Sequence, residues 1–249
     1  MKLLLLNGNT DPAITGRLAL AARGMCGHEI IPATARFGAR YIATRAASAI
    51  AAHAVIDLLA ERIGRENPEG FDAVIIACFG DPGIEAAREM LPIPVLGLAD
   101  ASIIAALRVA PIAAFLTGGA AWVPMLEEFC LLRGHGHDTI RVAAVTPTGD
   151  MIARDPERAL ASLAEAARMQ AAAGAGVVVL GGAGLVGLAE RLQPMVTVPV
   201  LDCLRVTLGL VAEARPATAA MQAAPSIGLS RALEDEIGRH SLQHRSAGH

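Results

Sequence analysis

Short, uninterrupted apolar runs recur along the chain, each closed by glycine, proline or a small polar residue. Runs of about four to eight such residues between turn formers mark strands buried on both faces. Leu3–Leu6 is the first, closed by Asn7-Gly8-Asn9-Thr10-Asp11-Pro12. There Thr10 or Asp11 serves as N-cap and Pro12 takes the first helical position of a helix reaching about Arg23. His28–Pro32 is a second strand, Thr34–Tyr41 a loop, and Ala46–Ile63 a long alanine-rich helix stopped by Gly64 and Asn67-Pro68. Ala73–Ala77 is a third, largely β-branched strand. It runs into Cys78-Phe79-Gly80-Asp81-Pro82-Gly83, where Pro82 suits a helix start, and a helix is read over Ile84–Leu91. Pro92–Gly97 is a short strand and Ala99–Val109 a helix. Strands and helices that alternate over short links predict a parallel sheet.

The second half repeats this plan. Ile112–Leu116 is a strand closed by Thr117-Gly118-Gly119, and Trp122–Leu132 is a helix. Thr139–Val145 is a strand followed by Thr146-Pro147-Thr148-Gly149, and Pro156–Ala173 is a helix. Gly176–Gly182 is a buried strand, Leu185–Leu192 a helix, Val198–Asp202 a strand, and a final helix reaches about Glu213. Val74–Cys78 matches Val178–Gly182 at an offset of 104 residues, and Ile93–Leu96 matches Val198–Leu201 at 105. Phe37-Gly38 lies opposite Thr148-Gly149 at 111. Such a repeat implies an α/β fold of two pseudo-symmetric lobes, each a parallel doubly wound sheet with flanking helices. The first lobe spans 1–98 plus about 209–235, the second 99–208, and 236–249 is a tail. A two-fold between the lobes sets the strand ends at Cys78 and Gly182 across a cleft.

Composition narrows the partners. Net charge is −3 and aromatics are 3% of 249 residues, so neither a phosphate backbone nor single-stranded bases are favoured partners. No stretch approaches the roughly 20 apolar residues that span a bilayer. The apolar N-terminal run breaks at Asn7, too early for a secretion signal, so a cytoplasmic protein is expected. Cys26, Cys78, Cys130 and Cys203 form no close pair, which suggests neither zinc nor a disulfide framework. His135 and His137 lie in a loop and lack further ligands, so no metal is expected. Lys2 is the only lysine, poorly placed for a pyridoxal Schiff base or a phosphate-binding loop.

Cys78 is the candidate for chemistry. A thiol at the C-terminal end of a parallel strand stands where ligands of open α/β sheets bind. A helix starting at Pro82 would lower its pKa, and Asp81 would work against that. The alternative is a packed structural cysteine. Gly182-Ala183-Gly184-Leu185-Val186-Gly187 also matches a dinucleotide-binding turn, with Asp202 placed to meet a ribose. The repeat already accounts for that segment as the partner of the Cys78 unit.

Asn7-Gly8-Asn9-Thr10, Cys78-Phe79-Gly80-Asp81-Pro82-Gly83, Thr117-Gly118-Gly119 and Leu180-Gly181-Gly182-Ala183-Gly184 follow the order seen in the aspartate/glutamate/hydantoin racemase superfamily. The chain most resembles its hydantoin racemase branch, over about Leu3 to Glu213. The resemblance implies a cofactor-independent racemase of small carbonyl or carboxylate compounds such as hydantoins or amino acids. In that family two cysteines flank the substrate's α-carbon; one takes a proton and the other supplies one on the opposite face. The chain departs from the pattern at the second cysteine, where it has Gly182. Arylmalonate decarboxylases also keep one cysteine opposite a glycine, but theirs is in the second lobe. A decarboxylase protonating one face from Cys78 is therefore the alternative activity, and a dinucleotide- or small-ligand-binding protein is another. Around Cys78 the candidate substrate contacts are Asn9 and Thr117 through their side chains. Backbone N–H groups of Phe79, Gly80, Gly118, Gly119 and Ala183 could hold an enolate oxygen, beside Gly182. Asn9 and Thr117 read equally as caps. Cys203 reads as packed, near the cleft floor. Alanine-rich helices suggest close packing between subunits, hence a homo-oligomer.

Overall fold

A computed structural model describes residues 1–145, 156–217 and 222–238. Two four-stranded sheets, all of whose pairings are parallel, carry the same strand order. The first is built from β1 (Lys2–Asn7), β2 (Glu29–Thr34), β3 (Ala73–Ile76) and β4 (Val95–Gly97), ordered β2-β1-β3-β4. The second is built from β5 (Ala113–Gly118), β6 (Ile140–Val145), β7 (Val177–Gly181) and β8 (Val200–Asp202), ordered β6-β5-β7-β8. The repeat read from the sequence is thus a repeat of topology, with β3 and β7 in equivalent places.

The helices of the first half are α1 (Pro12–Met25), α2 (Arg45–Arg62), α3 (Ile84–Met90) and α4 (Leu98–Val109). Those that follow are α5 (Trp122–Leu131), α6 (Pro156–Ala172), α7 (Ala189–Leu192), α8 (Cys203–Leu210) and α9 (Arg231–Gly238). Alternation along the strands divides the core. Leu3, Leu5 and Ile75 face a cluster that also holds Phe115, Val177 and Val179 of the other sheet, so one apolar body joins the halves. Leu4, Leu6, Val74 and Ile76 face outward to α2, α3 and α9, and Leu116, Val178 and Leu180 to α6 and α7. Strands buried on both faces need no polar positions, which is why β1, β3 and β7 read as solid apolar runs.

α3 starts at Ile84, as expected, after Gly83 in the left-handed conformation (φ 77°). Two boundaries differ from those expected. The helix expected at 185–192 is α7 alone, prolonged by a 3-10 turn at Gln193–Met195. α8 stops at Leu210 rather than continuing to Glu213. Past Ser230, α9 buries Leu233 and Glu236, and Glu236, which falls in the expected tail 236–249, pairs with Arg65 at 3.0 Å. The turn Thr146–Gly149 and residues 239–249 lie outside the described residues.

Candidate active site

β3 delivers Cys78 to the cleft through a tight turn. The Ala77 N–H still reaches the Leu6 carbonyl (2.7 Å), and the Asp81 N–H then folds back on the Cys78 carbonyl (3.0 Å). Asp81 is the unusual member, a buried acid at φ 46°, in the left-handed region that side chains seldom adopt. Its carboxylate accepts the N–H groups of Ala99 (3.0 Å) and Asp100 (2.7 Å), so it caps α4 from eighteen positions upstream. A side chain at Gly97 would collide with it, the nearest carboxylate atom lying 2.1 Å from the Cβ position. Behind this turn, Asp100 binds both Arg88 (2.6 Å) and Arg133 (2.7 Å), tying α4 to α3 and to the end of α5.

β7 forms the opposite wall with Gly181, Gly182, Ala183 and Gly184. The Phe79 ring lies against Gly181, with three ring atoms 2.3–2.6 Å from where a Cβ would sit, and packs edge-on against Phe115 (5.4 Å, 68°). Gly182 has φ 130°, and a Cβ there would meet nothing within 4 Å. Cys203, close to its N–H, is fully buried. Asp202 accepts from Leu204 (2.9 Å), Arg205 (3.1 Å) and Gly187 (2.6 Å). The dinucleotide reading of this segment therefore lacks both of its requirements: no long helix opens after the glycines, and the acid is already satisfied by amides.

β1 and β5 supply the remaining polar groups. The Asn9 Oδ1 accepts from Asn7 Nδ2 (2.8 Å) and the Asp11 N–H (2.9 Å), which fixes the amide's orientation. Its Nδ2, the donor end, has no partner among the described residues, and Asn9 lines the cleft. Asn7 is held in turn by Thr15 (3.0 Å), which meets Thr34 at 2.7 Å. Thr117 is buried at the end of β5 and its hydroxyl likewise takes no described partner. Tyr41, from the loop before α2, crosses the cleft to donate to the Gly118 carbonyl at 3.2 Å. Asn9, Cys78, Phe79, Thr117, Gly118, Gly182 and Ala183 thus line one cavity of about 80 Å³. Gly80 and Gly119, expected beside them, do not. Gly80 lies under the Trp122 ring, one of whose atoms is 2.6 Å from where a Cβ would sit, and the Gly119 N–H is turned to the Val145 carbonyl (3.4 Å). Trp122, Tyr41 and Arg17, which no sequence motif marks, also line the cavity. The only signal for the first two is rarity, since the chain has one tryptophan and one tyrosine.

Burial pushes the Cys78 thiol up to about 12, and the nearby Asp81 adds to the shift. Burial likewise raises Asp81 to about 7, against the pull of its two amide donors. Burial first, and then the charge of Asp81, push the thiol up where a helix start would lower it; α3 begins six residues away. Cys203 is raised further by burial, and Cys130 to about 12. The cleft thus holds a neutral, partly exposed thiol facing a glycine wall, between hydrogen-bond donors.

The model of the Asp/Glu/Hydantoin racemase family matches residues 3–211. The hydantoin racemase of Paenarthrobacter aurescens is 34% identical over 215 residues, covering 81% of this chain and 86% of that protein. The allantoin racemase of Pseudomonas fluorescens superposes with a TM-score of 0.80 at 26% identity, over 94% of this chain and 96% of its own. That of Klebsiella pneumoniae gives 0.76 at 29%, over 86% of each chain.

Proposed function

We propose that this chain, which belongs to the Asp/Glu/hydantoin racemase family and is an isomerase of that type, works through Cys78 on a C–H bond beside a carbonyl, in a hydantoin-like cyclic ureide. The observation that carries the reading is the position of Cys78, the one thiol lining a cleft otherwise furnished with donors. The Cys78 thiolate takes the α-proton, and the C–H electron pair moves into an enolate whose oxygen becomes negative. In this scheme the Asn9 Nδ2 and the Thr117 hydroxyl donate to that oxygen, helped by backbone N–H groups of the Phe79 and Ala183 turns. Return of a proton from the Cys78 side restores the starting enantiomer; delivery from the Gly182 side inverts it.

On this reading the place of the family's second thiol falls at Gly182, where a Cβ would meet nothing within 4 Å. A water held there supplies the inverting proton in this scheme. Water is a weaker acid than a thiol, so inversion lags exchange by about 10²-fold or more. The same glycine favours a second reading, in which Cys78 protonates one face of an enediolate after loss of carbon dioxide from a malonate-like acid. No redox or aldehyde chemistry is required in either scheme.

Polarimetry of an enantiopure 5-substituted hydantoin, with no cofactor added, tests the first reading. Decay of rotation that disappears in Cys78→Ala supports it. Stable rotation, with carbon dioxide released from an arylmalonate to a single product enantiomer, would replace it by the second.

A further inference from the structure

Among the described residues, Arg17 is the one arginine that makes no hydrogen bond or ion pair with the protein. Every other arginine whose side chain is described meets a carboxylate or a backbone carbonyl. Among the described residues, Arg17, on α1, is also the only charged residue lining the cleft, which Asn9 and Tyr41 line as well. No aspartate or glutamate among the described residues lines that cavity. Two acids of the adjoining turns are spent elsewhere: Asp81 on α4, and Asp11 on the Ala13 N–H (2.9 Å) and Arg40 (3.5 Å). The fixed polar groups repeat the bias, because Asn9 presents its donor end and the Gly118 carbonyl is already taken by Tyr41. A cleft with donors, one unneutralised guanidinium and a protonated thiol is complementary to an acceptor-rich anion.

We propose that Arg17 is the specificity residue of the site and selects substrates that carry a carboxylate arm. The ring bearing the acidic C–H sits at Cys78, and the arm extends along α1 to the guanidinium, whose planar fork takes both oxygens. The inference rests on the reading of the Cys78 cleft as the place of proton transfer, but it is separately testable. Arg17 acts on binding alone and takes no part in the movement of the proton.

The test uses 5-(2-carboxyethyl)hydantoin and its uncharged counterpart 5-(2-carbamoylethyl)hydantoin, which differ in charge but hardly in shape. Trp122, the single tryptophan, lines the cleft and reports binding through its fluorescence. α-Proton exchange in deuterated buffer reports chemistry. Wild type should bind the carboxylate about tenfold more tightly than the amide at low salt, a charge-assisted contact's contribution. Arg17→Gln should bring that ratio to about one. Arg17→Lys should keep part of it, and salt at about 0.5 M should compress it in wild type. Equal binding of the two compounds by wild type, or a preference that survives in Arg17→Gln, overturns the proposal. If the preference follows Arg17 but neither compound exchanges its α-proton, the assignment of Arg17 stands and the proton-transfer reading falls. Exchange of both compounds at equal affinity has the opposite meaning. Binding of neither compound overturns both.

Discussion

Gly181→Ala probes the contact that holds the two walls of the cleft at their working distance. Gly181 is buried in β7, and its backbone is compatible with alanine, so the methyl group meets only a packing objection. That objection is severe: the added Cβ would lie 2.3, 2.5 and 2.6 Å from three atoms of the Phe79 ring. Ordinary contact requires about 3.4 Å or more, so the ring must move by roughly 1 Å. It has little room, being 4% exposed and set edge-on against fully buried Phe115. Overpacking of this kind costs about 1–3 kcal/mol. For a protein of this size that is a fall in Tm of about 2–10 °C. Phe79 is bonded to Cys78, so the displacement also reaches the sulfur, and a shift of about 1 Å at a reacting group can cost on the order of 10²-fold in rate. Thermal unfolding and α-proton exchange should be measured for Gly181→Ala, Phe79→Leu and the double variant. Leucine is smaller than the ring and relieves the clash, so the double variant should be more stable than the sum of the single effects by about 1 kcal/mol or more. Strict additivity, or a Gly181→Ala protein with unaltered Tm and exchange, refutes the reasoning.

Two further predictions concern the chemistry directly. Gly182→Cys places a thiol in open space facing Cys78, at a strain of about 1–3 kcal/mol for its positive φ. Inversion, followed by chiral chromatography, should accelerate by about 10²-fold while exchange from the Cys78 face changes little; a folded variant with no gain in inversion contradicts the water-delivery scheme. The pH profile follows from the raised Cys78 thiol. Below about 12 the group is mainly neutral, so the thiolate fraction grows about tenfold per pH unit. The exchange rate at subsaturating substrate should therefore climb with a slope near one from about pH 7 to 10, and a plateau near neutrality would show that the free thiol ionises far more readily than its burial implies.

The repeat was legible because both halves solve one problem in the same way. A central parallel strand buried on both faces must be apolar throughout, and its C-terminal end must turn sharply. Val74–Cys78 and Val178–Gly182 therefore resemble each other in pattern, and β3 and β7 occupy equivalent places. Cys78 and the glycine wall could be placed for the same reason, since strand ends of such sheets meet at a cleft. What escaped was decided by tertiary contact. Asp81 looks like a turn residue, yet its carboxylate caps α4, which no local pattern reveals. Burial of Cys78, with Asp81 adding to it, raises the thiol where a helix start near Pro82 would lower it. Gly80 and Gly119 share the motif's spelling with residues that line the cavity, but a neighbouring ring and a neighbouring strand take them out of it. Arg17 sits on a helix face whose exposure gives no hint of a cleft. Residues 209–235 read as part of the first lobe and 236–249 as a tail; the pairing of Glu236 with Arg65 is a tertiary contact that no local pattern reveals.

The most direct measurement is the disappearance of the α-proton signal of a 5-substituted hydantoin in deuterated water, followed by proton NMR with wild type, Cys78→Ser and Cys78→Ala. The account predicts exchange by wild type and a loss of at least about 10³-fold in both variants with their folds intact. Exchange that persists in Cys78→Ala would contradict it, because the proton would then be leaving through some group other than this thiol.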